Sequence, residues 1–184
     1  MKEISLNILD VAGNSVKAKA KRIDITLTES NARDILELTI ADDGCGMESE
    51  FLKGVTDPFV TTRTTRKVGL GIPLLKMAAE SCEGSFDITS VVNEGTTVKA
   101  TFRLSHLDRM PLGNMAETIV TLISANDDIR YVYTHTTDEG TFVMDTGEIQ
   151  ETLGEEIPLS APEILAWIHD YVKENLENIK GGNI

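Results

Sequence analysis

The chain has 184 residues, 41% hydrophobic and 26% charged, which suits a soluble globular protein with one full core, or a core plus a small appendage, and is too short for two large domains. Its net charge of −13 is uneven: residues 1–104 carry 13 basic against 15 acidic side chains, and residues 105–184 carry 4 against 15, a balance that argues against nucleic acid or an anionic membrane surface as partner. No apolar run approaches about 18 residues, no signal-peptide pattern opens the chain, and two cysteines, Cys45 and Cys82, form neither a disulfide framework nor a metal spacing, so a reducing, cytoplasmic setting is expected.

In chain order, residues 3–20 read as a helix. Leu6, Leu9, Gly13 and Val16 form an apolar or small stripe at spacings of three and four, broadened by Ile8 and Ala12. Asp10 and Asn14 are four apart and Lys17 is seven from Asp10, so the three lie along one face, either as a polar edge or as a site. Residues 23–28 and 35–40 alternate like strands, with the polar segment 29–34 between them, and an antiparallel pair is the economical arrangement. The second strand delivers Asp42 and Asp43 into Gly44-Cys45-Gly46-Met47. An acid at a strand end, beside glycines that let backbone approach a guest, is a ligand-site arrangement.

Residues 47–54 suit a short helical turn, which Asp57-Pro58 breaks. Residues 61–67 are polar and basic, without a buried periodicity, and are expected to form a mobile loop. Its cations, Arg63, Arg66 and Lys67, suit phosphates if the loop is not merely solvated. Gly69-Leu70-Gly71 leads into a helix over 72–82 whose first turn tolerates Pro73 and whose free N–H groups can hold a phosphate oxygen. Cys82 is read as helix packing. Residues 86–91 and 96–104 are strands joined by a hairpin at 92–95.

The fold class expected from this order is α+β: a two-layer sandwich with a mixed, mostly antiparallel sheet, helices on one face and open edges. A doubly wound dinucleotide fold is disfavoured, because a helix precedes the first strand. The division expected is residues 1–104 as one domain and 105–184 as an acidic extension, either packed on that domain or standing as a separate one. In that extension 106–113 is a connector, 116–124 an apolar run that suits helix or strand, 129–134 and 141–144 a hairpin, 145–153 a short helix, and 161–179 a helix with Ile164, Leu165, Ile168, Tyr171, Val172 and Leu176 inward. His135 and His169 are read as non-catalytic and Trp167 as packing.

Taken together, Asp10-Val11-Ala12-Gly13-Asn14, Asp42-Asp43-Gly44-Cys45-Gly46, Asp57-Pro58-Phe59, Gly69-Leu70-Gly71 and Gly95-Thr96 resemble, in order, the N-box, first glycine box, phenylalanine box, second glycine box and last box of one ATP-binding module. That module, with its Bergerat fold, is shared by sensor histidine kinases, type II topoisomerases, heat-shock chaperones and mismatch-repair ATPases. Thr61-Thr62-Arg63 resembles the Thr-Thr-Lys run of the kinases.

The resemblance implies ATP and Mg²⁺ as cofactors. It implies Asn14 as the Mg²⁺ ligand, with Lys17 beside it, and Asp42 as acceptor of the adenine amino group. Gly44, Gly46 and Met47 would shape the base pocket, with Gly46 leaving room for the base, and Thr96 would support the adenine contact. Gly69 and Gly71 would let the loop cover the phosphates, Arg63, Arg66 and Lys67 would contact them from that lid, and Phe59, Thr61, Thr62 and Leu70 are further cofactor-binding candidates. Asp10 stands where the family usually has a glutamate that acts as general base or polarises the acceptor. Aspartate is one methylene shorter, and a base must come within about 2.6–3.2 Å of its proton or act through a water. Lys67 replaces the first glycine of the three-glycine run common in kinases. Only nine residues precede Asp10, so no phospho-accepting helix is expected within this sequence. The expected function is a stand-alone kinase or ATPase acting on a separate protein; the alternative is an ATP-dependent regulatory binding module without turnover.

Overall fold

The structure, a computed structural model, describes residues 3–56, 70–154 and 156–180. Six helices and six strands follow in the order α1 (Ile4–Lys17), β1 (Arg22–Ser30), β2 (Ile35–Asp42), α2 (Ser49–Gly54), α3 (Gly71–Ser81), β3 (Phe86–Val91), β4 (Gly95–Arg103), α4 (Met115–Ala125), β5 (Arg130–Thr136), β6 (Thr141–Asp145), α5 (Thr146–Leu153) and α6 (Pro162–Ile179). The strands form one sheet in the order β3-β4-β2-β1-β5-β6. Every pairing is antiparallel except β1 with β5, which is parallel.

Period-two alternation decides which face of the sheet is covered. Ile23, Ile25 and Leu27 of β1 pair in register with Tyr131, Tyr133 and His135 of β5, and Ile25 and Leu27 pair on the other side with Ile40 and Leu38 of β2; all of these are buried. The intervening Asp24, Thr26, Thr28, Glu37, Thr39 and Lys99 stand on the other, more open face, where Lys99 pairs with Glu37 at 2.9 Å. On the covered face α1 packs between α3 and α4, and α6 packs on α4 and β6. This is the expected two-layer α+β sandwich. The acidic second half supplies β5 and β6 to the same sheet and Ile119, Ile123, Tyr133, Ile168 and Val172 to the same core.

Helix α1 is turned relative to its sequence reading. The buried positions are Ile4, Ser5, Asn7, Ile8, Val11, Ala12 and Ser15, whereas Leu6 is 42% exposed and Leu9 and Val16 are only partly buried. Two overlapping stripes of similar hydrophobicity were available, and packing between two neighbouring helices and β2 chose the one with smaller residues at its C-terminal end. The apolar run at 116–124 is helical: Asn114 caps α4 by accepting the Glu117 N–H at 3.2 Å. Asp145 likewise caps α5 through the Gly147 N–H at 2.8 Å. The inward positions of α6 are as expected, with Ile168 and Val172 buried and Ile164, Leu165, Tyr171 and Leu176 packed against the core. Cys82 is buried at the end of α3 and Cys45 is exposed, both as free thiols.

Candidate functional site

The site is assembled at one end of the sheet, where β2 stops at Asp42. Because β2 buries Leu36, Leu38 and Ile40, the next even position places the Asp42 side chain on the helix-covered face. There it meets α1. The Ser15 hydroxyl donates to Asp42 Oδ2 at 2.6 Å, and the Gly44 N–H donates to Asp42 Oδ1 at 2.9 Å. A carboxylate offers about four lone-pair positions, so two such bonds fix its orientation and leave capacity for a further donor.

The loop after β2 is held as firmly. Asp43 Oδ1 accepts the backbone N–H groups of Lys21 and Arg22 at 2.7 and 2.9 Å, and Cys45 N–H donates to the Ala18 carbonyl at 2.9 Å. Gly46 has φ +63°, and a Cβ there would stand 2.0 Å from the Val91 carbonyl oxygen. Glycine at 46 is therefore required by close approach to the β3–β4 hairpin, whatever lies in the pocket. Met47 N–H donates to Ser90 Oγ at 2.8 Å, and Ser90 Oγ in turn bonds Thr96 Oγ1 at 2.8 Å and the Gly95 carbonyl at 2.9 Å. Thr96 pairs in register with Asp42 on one side and Ser90 on the other. Asp42, Thr96 and Ser90 thus form a polar row across three strands, on the face that α1 covers.

The other end of the site lies where α3 begins. A Cβ on Gly71 would come within 2.7 Å of the Asp10 Cβ, so the first turn of α3 rests directly on α1 at Asp10. This turn has no side-chain cap and no acidic residue of its own, and Pro73 lacks an N–H. The N–H groups of Gly71 and Ile72 have no partner among the described residues, the arrangement of donors that suits an anion at a helix start. Asn14 lies one turn beyond Asp10, about 6 Å along the axis, and its Nδ2 is buried without a hydrogen-bond partner among the described residues. Lys17 and Leu70 are exposed at the margins.

The structure thus sets Gly71 against Asp10 of α1, with Asn14 one turn on, and ties the same helix through Ser15 to Asp42, around which Gly44, Gly46, Met47 and Thr96 are linked. Phe59, Thr61, Thr62, Arg63, Arg66, Lys67 and Gly69 lie outside the described residues. Two members were not foreseen. Ser15 orients Asp42, and Ser90 links the loop to Thr96; a serine at helical spacing from Ile8, Val11 and Ala12 was the available signal for the first.

Residues 2–106 match the family model described as "Histidine kinase-, DNA gyrase B-, and HSP90-like ATPase". The chain belongs to this family. Its ATP-binding domain is the unit to which Asp10, Asn14, Asp42 and Gly71 belong. Among curated relatives, the Staphylococcus aureus sensor protein SrrB is 35% identical over 102 residues, covering 53% of this chain and 17% of that protein. A Bacillus subtilis protein named "Probable C4-dicarboxylate sensor kinase" is 31% identical over 88 residues, covering 48% and 16%. This chain thus spans about a sixth of the length of the relatives it matches. A solved N-terminal domain of a DNA repair protein overlays with a TM-score of 0.52 at 14% identity, covering 79% of this chain and 53% of that one. The overlay is wider than residues 2–106, so the shared fold reaches into the acidic half. No helix among the described residues is long and apolar enough to cross a membrane.

Proposed function

We propose that this ATP-binding domain takes Mg²⁺-ATP between α1 and the N-terminus of α3, and uses it as a histidine-kinase-like kinase or ATPase acting on a separate protein. The observation that carries the reading is the placement of three roles on one helix: Asp10 against the start of α3, Asn14 one turn on, and Ser15 bonded to the Asp42 carboxylate. The adenine amino group would donate to Asp42, with Thr96 and the Gly44-to-Met47 loop around the base. The phosphates would meet the free N–H groups of α3 at Gly71, with Leu70, Gly69, Arg63, Arg66, Lys67, Thr61, Thr62 and Phe59 proposed as the lid and Lys17 at its margin.

The residues present fit a magnesium ion. The buried atom of Asn14 without a partner among the described residues is its amide nitrogen; a half-turn of the amide exchanges nitrogen and oxygen and would bring the oxygen into that position, and no group of three or more His, Cys, Asp or Glu side chains competes as a metal cage among the described residues. Magnesium is commonly held by one or two protein oxygens with substrate phosphates and waters, so Asn14 would serve through its side-chain oxygen. The ion would supply charge neutralisation at the phosphates. Asp10, exposed at the phosphate end, would accept the proton of an attacking water or polarise an acceptor side chain. Positioning and electrostatics account for most of the catalysis in phosphoryl transfer.

A second reading is a regulatory module that binds ATP without turnover. It is favoured by aspartate at position 10, whose Cβ already abuts Gly71 and whose reach is a methylene short. Labelled γ-phosphate transferred to a cognate protein or released, and lost in Asn14→Ala, supports the enzyme. Tight ATP binding with neither transfer nor release overturns it in favour of the module.

A further inference from the structure

Far along the chain from the nucleotide residues, α6 presents a second surface. Glu163, Trp167, Asp170, Glu174 and Glu177 follow one another at alternating steps of four and three, so they share one seam of the helix. All five are exposed, opposite the inward Ile168 and Val172. Trp167, the chain's single tryptophan, is 51% exposed, although sequence alone reads it as packing. Its indole stacks on Tyr171 with centroids 5.1 Å apart and planes 6° apart, and Tyr171 stands edge-on to buried Phe142. The indole is thus a braced aromatic plane, fixed from beneath by the core. Glu163 is one turn before it and Asp170 one turn after. Asp170 is paired with His169 Nδ1 at 3.0 Å, while Glu163, Glu174 and Glu177 have no ion-pair partner among the described residues.

The geometry points to this seam as the docking surface for an arginine-rich segment of a partner protein. Charge complementarity selects the occupant. Four carboxylates repel a second copy of the same seam and any acidic segment. A guanidinium fits better than an ammonium, because it stacks on an aromatic plane while its edge bonds flanking carboxylates in bidentate fashion. This surface lies outside the residues matched by the ATPase family model, and the inference does not depend on whether ATP is turned over.

The test uses the full chain and a dye-labelled synthetic peptide of alternating arginine and alanine, with anisotropy as readout. Saturable binding is expected, weakening as salt rises. Trp167→Ala and, separately, the triple Glu163→Gln, Glu174→Gln, Glu177→Gln are each expected to weaken it about tenfold. The triple is isosteric and exposed, so it tests the surface even if Trp167→Ala perturbs the fold. A control triple of exposed acids elsewhere, Glu50→Gln, Glu148→Gln, Glu151→Gln, removes the same charge and is expected to leave binding unchanged. The lysine version of the peptide is expected to bind more weakly than the arginine version. Absence of saturable binding, equal loss in the control triple, or equal binding of both peptides overturns the inference. So does self-association in sedimentation that Trp167→Ala abolishes, which would assign the seam to a second copy.

Discussion

The Ser15 hydroxyl donates to Asp42 Oδ2 at 2.6 Å across a sequence separation of 27 residues. This bond ties the helix that carries Asp10 and Asn14 to the strand end that carries the adenine-binding carboxylate proposed above. A hydrogen bond to a charged group contributes about 1.5–3 kcal/mol. Ser15→Ala is therefore expected to lower stability by about that amount in urea denaturation. By leaving Asp42 unanchored it should also weaken ATP binding by about tenfold. Asp42→Asn should weaken ATP at least as much, since it presents an amide to the adenine amino group. Unchanged ATP affinity in calorimetry for Asp42→Asn would sink that assignment.

Glycines 13 and 46 should respond in opposite directions to alanine. Nothing lies within 4 Å of a Cβ at Gly13, inside α1, so Gly13→Ala should stabilise by about 0.5–1 kcal/mol. Gly46→Ala places a Cβ 2.0 Å from the Val91 carbonyl oxygen at a positive φ. It should cost about 3 kcal/mol or more and displace the β3–β4 hairpin. Equal urea midpoints for the two variants would contradict the structure around Gly46.

At position 10 the two readings of the protein diverge. If Asp10 acts as base, Asp10→Asn should reduce phosphate release or transfer by about 10²–10⁴-fold while ATP affinity changes little. If the chain is a module without turnover, neither Asp10→Asn nor Asp10→Glu alters a phosphate signal that is already at background. Single-turnover measurements beside calorimetry separate these outcomes.

At the opposite end of the sheet, a buried network gives a pH dependence that owes nothing to nucleotide. His135 is fully buried between Tyr133 Oη and Glu29 Oε1, each 2.7 Å away, and Lys180 lies 3.7 Å from the same Glu29 oxygen. The hydrogen bond with His135 holds the Glu29 carboxyl below its usual range, with Lys180 adding to the effect against the opposing cost of burial. A carboxyl whose pKa is lowered on folding adds stability at pH values above its unfolded value, near 4.3. That stability is lost as pH falls through the folded value. Glu29→Gln should thus lower the urea midpoint at neutral pH, and the gap between variant and wild type should narrow as pH drops below about 4. A gap that stays constant down the acid limb would refute it.

Much of this molecule was legible locally. Strand alternation, the hairpin turns and the periodicity of α3 and α6 depend on neighbours within a few residues, and they fixed the order of elements to within one or two positions. The motif residues Asp42, Gly44, Gly46 and Gly71 were legible for the same reason, as short runs with characteristic side chains. The face that α1 buries was misjudged, because Leu6 and Ile8 both head plausible stripes and only the neighbours on each side distinguish them. Trp167 packs on Tyr171 with half of its surface exposed, and how much of an aromatic at helical spacing is covered depends on neighbours that sequence does not show.

What the sequence by itself determined, then, was the inventory: one helix with Asp10 and Asn14, a strand ending in Asp42, glycines where backbone must come close, and an acidic second half. Tertiary structure alone decided the company these residues keep. It placed Ser15 under Asp42, Asp10 against Gly71, β5 parallel to β1, and Asp138 on the Ser30 hydroxyl 108 positions away. The physical reason is that such contacts join segments far apart in sequence, and their geometry is set by packing of the whole sandwich, which no local pattern encodes.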